Sequence, residues 1–255
     1  MIVDYTAFHM RQSRKLLLLF ALVVFCAAAL SGAAQAEVAD ENMANRIASL
    51  LGGRFSPESL EVTVSHSRAY AEMRGVILSG IRIDSMRLDA LLTKADETLS
   101  SDELVSDANS LASLIGYSKG EIVLLEKDVN SYFEHNNTKG FSKLAFDFKP
   151  QGFRADGVFS ADFLFTLRIR LAAEGVLGLQ SGGLYLDDVS IYVEKLKQPA
   201  ALTNQIVNRV NPLLKWSDIP FKVEFKTVTM DDESAILTGV PQRIDGGFKA
   251  VWKPE

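Results

Sequence analysis

The stretch FSADFLFTLRIRL, residues 159–171, decides how this chain is read. Its odd positions, Phe159, Ala161, Phe163, Phe165, Leu167, Ile169 and Leu171, are all apolar. Between them stand Ser160, Asp162, Thr166, Arg168 and Arg170, with Leu164 the one exception. A period of two marks a β-strand with one buried face. Read as a single strand, the stretch extends about 43 Å at roughly 3.3 Å per residue, more than twice the usual length. An apolar face that long needs a cover of similar length, either the protein's own helices or a ligand.

The surrounding pattern is mostly strand. Alternation marks 60–65, 76–92 and 122–125, then 143–148, 157–172, 184–194, 220–229 and 234–239. Turns are expected at Gly152, Gly157, Gly182-Gly183 and Asp231-Asp232. Within 76–92 the apolar parity changes near Ser85, which reads as a β-bulge. Four helices are predicted. The first covers Glu41 to Leu51, with Gly52-Gly53 as its stop. The second runs from Leu104 to Ile115 behind a capping box at Ser100 and Glu103. A third spans Glu126 to Asn136, turning Val129, Tyr132 and Phe133 inward. The last occupies 199–211, with Pro199 in its first turn and Asn211-Pro212 at its end. Strands joined by short turns pair antiparallel. The expected class is α+β: a large bent antiparallel sheet whose concave apolar face is covered by a few helices, leaving an elongated hydrophobic groove or tunnel.

Residues 1–36 read as a signal peptide. Arg11, Arg14 and Lys15 precede an uncharged apolar run from Leu16 to Leu30, and Ala34-Gln35-Ala36 offers small residues for cleavage after Ala36. Residues 37–240 then form one domain and 241–255 a C-terminal tail in which Trp252 can dock. The sole cysteine, Cys26, lies in the leader, so the remainder holds neither a disulfide nor a thiolate. The whole chain carries a net charge of −5, and the leader takes with it more base than acid. An acidic chain without a basic cluster argues against a nucleic-acid partner.

Catalytic and metal-binding patterns are missing from the sequence. His66, beside Ser65 and Ser67, and His135, beside Asn136 and Asn137, stand apart, with no His-x-x-x-His or Cys-x-x-Cys spacing and no Gly-x-Ser-x-Gly elbow. Asp187-Asp188 and Asp231-Asp232-Glu233 lack the alternating oxygen ligands of a calcium loop and read as turns. No catalytic residue, metal ligand or cofactor is assigned.

What remains is the excess of apolar face. The helix at 199–211 spans only about 20 Å at 1.5 Å per residue. A dry apolar cavity under the uncovered part accepts acyl chains, each buried CH₂ contributing about 0.8 kcal/mol. The run from Gly120 to Phe133, GEIVLLEKDVNSYF, resembles the strand-then-helix junction of the LmeA-like phospholipid-binding proteins. Similar too are Pro199 with its helix to Asn211-Pro212-Leu213, the segment Ile219 to Phe225, and the strand ending Leu237-Thr238-Gly239. The resemblance covers about residues 76–240. It implies an exported, non-enzymatic protein that binds phospholipid on a curved sheet wrapped around helices. The candidate lining follows from the alternation: Phe159, Phe163, Phe165, Leu167 and Ile169 on the long strand; Leu202, Ile206 and Val210 on the helix; Phe221, Val223 and Phe225 on the next strand. Trp216 is placed to meet a headgroup. The expected function is carriage or presentation of a phospholipid or other acyl-chain lipid in the periplasm, with transient contact at a membrane surface. The alternative is a structural or protein-interaction module of the cell envelope.

Overall fold

The computed structural model describes residues 38–93, 108–136, 140–162 and 166–254. The expected signal peptide, the Ser100–Glu103 capping box, Phe163 and Phe165 lie outside these residues. The fold is α+β, mostly antiparallel strand with few helices. Its strands divide into two sheets. The first is built from β1 (Ser59–Ser65), β2 (Arg68–Leu78), β3 (Ile81–Leu92), β4 (Ile115–Leu125), β11 (Val223–Glu224), β12 (Thr227–Met230), β13 (Ser234–Thr238) and β14 (Phe248–Trp252). It runs in the order β12-β13-β4-β3-β2-β1-β14, with β11 added to β4 as a parallel pair. The second contains β5 (Phe141–Lys149), β6 (Gly152–Asp162), β7 (Thr166–Gln180), β8 (Gly183–Val193), β9 (Leu196–Lys197) and β10 (Leu214–Lys215). Its order is β10-β8-β7-β6-β5, with β9 also on β8.

The expected strand 157–172 is two strands. β6 and β7 pair antiparallel with Phe159 opposite Ile169, Ala161 opposite Leu167 and Asp162 opposite Thr166. The chain therefore reverses between Asp162 and Thr166. Because odd residues face odd residues across this pair, one alternation runs through both arms without a break. The apolar face is half as long and twice as wide as the single-strand reading implies.

Other boundaries move for similar reasons. The expected strand 76–92 is the end of β2 plus all of β3, joined at Ser79 and Gly80, both at positive φ (53° and 85°). The buried parity of β3 does switch between Ser85 and Met86. The backbone irregularity lies opposite on β2, at Gly75 (φ 66°). Helix α1 runs through 38–55 and does not stop at Gly52-Gly53. Gly52 is needed for another purpose: a Cβ there would lie 2.3 Å from Nε1 of Trp252, so the glycine makes room for the indole. That indole arrives on β14, which pairs with β1 from Leu60–Trp252 to Val64–Phe248. The supposed tail is thus an edge strand.

Helices α2 (Ala108–Leu114), α3 (Glu126–His135) and α4 (Ala200–Val207) complete the described elements. One large core joins α1, through Ile47, Leu51 and Phe55, to the first sheet and to one end of the second. Helix α3 lies along β5 and bonds to its backbone. Asn130 donates to the carbonyl of Phe146 at 2.8 Å and accepts from its amide at 2.6 Å, while Glu126 accepts from the amide of Phe148 at 2.7 Å. Residues four apart on a helix and two apart on a strand have nearly the same spacing, about 6 to 7 Å, so the two elements match. Towards its start β5 is interrupted by a register shift between Ser142 and Ala145, with Lys143 at φ 56°.

Candidate functional site

The inner face of the second sheet continues past the large core into a smaller apolar cluster. It consists of Phe141, Phe159, Leu171, Ile191 and Ile206, with Ile169, Val193, Val207 and Val210 packed against it. Its cover is α4. Between helix and sheet lies an apolar cleft with a cavity volume of about 40 Å³.

The hollow has a clear cause in the strand register. One row across the sheet reads Phe146, Ala155, Ala173, Ile191, each residue paired with the next. Large side chains stand at its ends and alanines in its middle. Gly157, paired with Leu171, extends the low floor by one step. Ile206, Val207 and Val210 of α4 and the segment after it form the roof. All residues that line the cleft are apolar or glycine. They present no acid, base, nucleophile or metal donor, so this lining can exclude water and hold apolar groups and nothing more.

Among the residues predicted from sequence, Phe159, Ile169, Ile206 and Val210 come together at this end of the sheet. Phe159 stacks obliquely on Phe141 with ring centroids 5.2 Å apart. The Arg209 guanidinium also lies over the Phe159 ring, 5.1 Å from its centroid, a cation–π contact. Leu167 is on β7, opposite Ala161. Leu202 is 39% exposed, one turn before Ile206 and outside the cleft lining. The remaining residues belong elsewhere. Phe221 is buried in the large core, with Val223 and Phe225 packed on that core at Gly120, where a Cβ would collide with both side chains. Trp216 stacks on Phe225 with centroids 4.9 Å apart and donates from Nε1 to the carbonyl of Gln180. It is a structural bracket between the sheets, not a group waiting at the cleft. Ala155 and Ala173, which shape the hollow, went unnoticed in the sequence, and Gly157, expected as a turn, lies inside β6 opposite Leu171. Their signal is small residues on the apolar parity of adjacent strands.

Polar groups elsewhere show their own logic. Ser65 Oγ and His66 Nδ1 are 3.1 Å apart on the exposed β1–β2 turn, but Asp40 accepts from the His66 backbone amide, not from the ring. The relay of a catalytic triad is therefore not formed there. Asp231 accepts from the amides of Glu233 and Ser234, which holds its carboxyl below the ordinary value and closes the β12–β13 turn. Among the described residues no three His, Cys, Asp or Glu side chains gather as metal ligands, and no helix is long and apolar enough to cross a membrane. No protein-family model, curated protein or solved structure matches this chain.

Proposed function

We propose that this chain binds a phospholipid or other acyl-chain lipid under α4, as an exported carrier or presenter of lipid in a bacterial envelope. The observation behind this reading is the second apolar cluster, roofed by one eight-residue helix over a floor of small residues. The likeness to LmeA-like proteins points the same way. In the closed form the cleft has room for only a few water-sized spheres, since one occupies about 10–15 Å³ on this measure. An acyl chain therefore enters by displacing α4, lengthening the hollow along the face that Phe159 and Ile169 continue. The cost of that movement is low for a short helix. Its N-cap is Pro199, which makes no side-chain cap bond. Each methylene that replaces the helix contacts returns about 0.8 kcal/mol.

The deciding experiment is mass spectrometry of the protein purified without detergent, run native and again after solvent extraction. A stoichiometric phospholipid supports lipid binding and identifies its class. A bare protein that also refuses added lipid overturns it and leaves a protein-interaction module of the envelope.

A further inference from the structure

At the end that holds the smaller apolar cluster, the second sheet finishes unevenly. β6 and β7 stay paired as far as Asp162 opposite Thr166. Their neighbours stop sooner. On the β6 side the Ser160 amide donates the last bond, to the Gly140 carbonyl. On the β7 side the last pair is Ala172 with Tyr192 of β8. Among the described residues the end of the β6–β7 hairpin therefore runs on without a strand beside it. The sequence that joins its arms is Phe163-Leu164-Phe165, where reversals usually hold Gly, Asn, Asp, Ser or Pro.

The same end carries a second apolar corner. β8 and β9 pair Val193 with Leu196 across a two-residue turn, Glu194 and Lys195, both at positive φ (49° and 70°). Such a turn is tight and fixes the residue that follows it. Leu196 is 69% exposed there, and Leu202, in the first turn of the helix that follows β9, is the exposed leucine already noted. Ile169 and Val193, both half-buried, carry the inner apolar face from the cluster towards this end.

Charge does not select a partner here. Arg168, Arg170, Lys195 and Lys197 share this end with Asp156, Asp162, Glu174 and Glu194, so neither sign is in surplus. Nor is there breadth for a protein partner, since a stable protein interface buries about 800 Å² on each side and a two-stranded hairpin end is narrow. A bilayer surface makes no such demand. It accepts apolar side chains one by one, while the stems of flanking Lys and Arg reach back to the headgroups. Entry is shallow, because the backbone of β7 from Thr166 to Leu171 has no strand on its β8 side and unpaired backbone groups need water.

We propose that this end of the second sheet is a peripheral docking surface for a lipid bilayer, with Leu196 and Leu202 entering its interfacial layer. The proposal rests on the lipid-binding reading and deepens it: cargo passes between cleft and bilayer without crossing water.

The test is sedimentation of the protein, purified without detergent, with sucrose-loaded vesicles of phosphatidylcholine. The wild type is compared with the double variant Leu196→Ser, Leu202→Ser. Residues 1–36 are the same in both, so the difference reads the two leucines alone. Both leucines are exposed, and the variant should keep the wild-type near-ultraviolet dichroism. Its vesicle partition should fall about tenfold, about threefold for each partly inserted leucine. Added salt should change the wild-type partition by less than about twofold. Equal partition of the two forms, or no wild-type binding, overturns the docking surface. So does binding confined to vesicles that contain phosphatidylglycerol and abolished by salt, which means attraction by charge. Leu196→Trp gives a signal instead of a loss: brominated phosphatidylcholine should quench the fluorescence gained over the wild type, and an unquenched gain overturns the proposal. Native mass spectrometry separates docking from cargo. Lipid retention equal to the wild type, beside the reduced vesicle partition, supports a docking surface distinct from the cleft. Vesicle binding that depends on the two leucines while neither form retains lipid overturns the cleft and leaves the docking surface standing.

Discussion

The two ends of the second sheet share the same strands, the same alternation and the same residue classes, yet they are buried differently. At the end that meets the first sheet, Phe148, Phe153, Leu177 and Leu184 belong to the large core, and Phe148 is fully enclosed. At the other end Phe141, Phe159, Leu171 and Ile206 retain 6 to 8% exposure under one short helix, above a row of alanines. Alternation shows which face of a strand is buried. It carries no information about what buries it, because that depends on elements distant in sequence.

The comparison is most directly broken by truncating one aromatic from each end. Phe148→Ala should cost about 3–5 kcal/mol in urea unfolding, as complete burial and rigid surroundings require. Phe159→Ala should cost about half as much, since its site already adjoins a hollow that can close. Equal costs would mean that the two ends are equally well packed. A smaller change in stability comes from filling the hollow: Ala173→Val adds two methyl-sized groups to the floor and should alter stability by less than about 1.5 kcal/mol. Lipid retention should nevertheless fall severalfold, and retention equal to the wild type would show that the hollow is not where cargo sits. Hydrogen exchange sharpens the contrast without mutation. Amides of α4 should exchange through local opening well before those of β2, β3 and β4, whose exchange should follow global unfolding. Simultaneous exchange would bind α4 into the same cooperative unit.

The smallest expected effect is acid sensitivity on the first-sheet side. The hydrogen bond from Arg82 holds the Glu58 carboxyl below its ordinary value, and the amides of Glu233 and Ser234 do the same for Asp231. Depressed carboxyls contribute stability that is fully present above their unfolded values, near pH 4, and lost as the pH falls through the folded ones. The urea midpoint should therefore decline below about pH 4, and Asp231→Asn should flatten that decline slightly. An unchanged slope would remove Asp231 from the list of contributors.

Class and strand content were legible because alternation is local. Helix α3 was placed within a residue, since Val129 and Phe133 are spaced to share a face and both are buried. The β6–β7 reversal was not legible: its register preserves parity, so pattern alone cannot separate one long strand from a hairpin. Nor was the placing of Gly52 inside α1, where the lack of a side chain makes room for Trp252, two hundred residues away in sequence. In the smaller apolar cluster, the helical spacing of Ile206 and Val210 and the strand parity of Phe159 are the legible signals for residues that do pack together there. The aromatic emphasis misplaced Phe221, Phe225 and Trp216, which close the large core, and passed over Ala155 and Ala173, because absence of bulk leaves little trace in a search for bulk.

The bonds from α3 to β5 bear on how this molecule behaves in a crowded compartment. β5 ends its sheet, and an unguarded terminal strand invites another chain to add to it. Here Glu126 and Asn130 already occupy the backbone groups of Phe146 and Phe148, and the register shift at Ser142–Ala145 spoils the remainder as a template. A protein with a thinly roofed greasy end thereby keeps the adjoining border of its sheet closed to copies of itself. Local opening of that roof then need not begin a fibre.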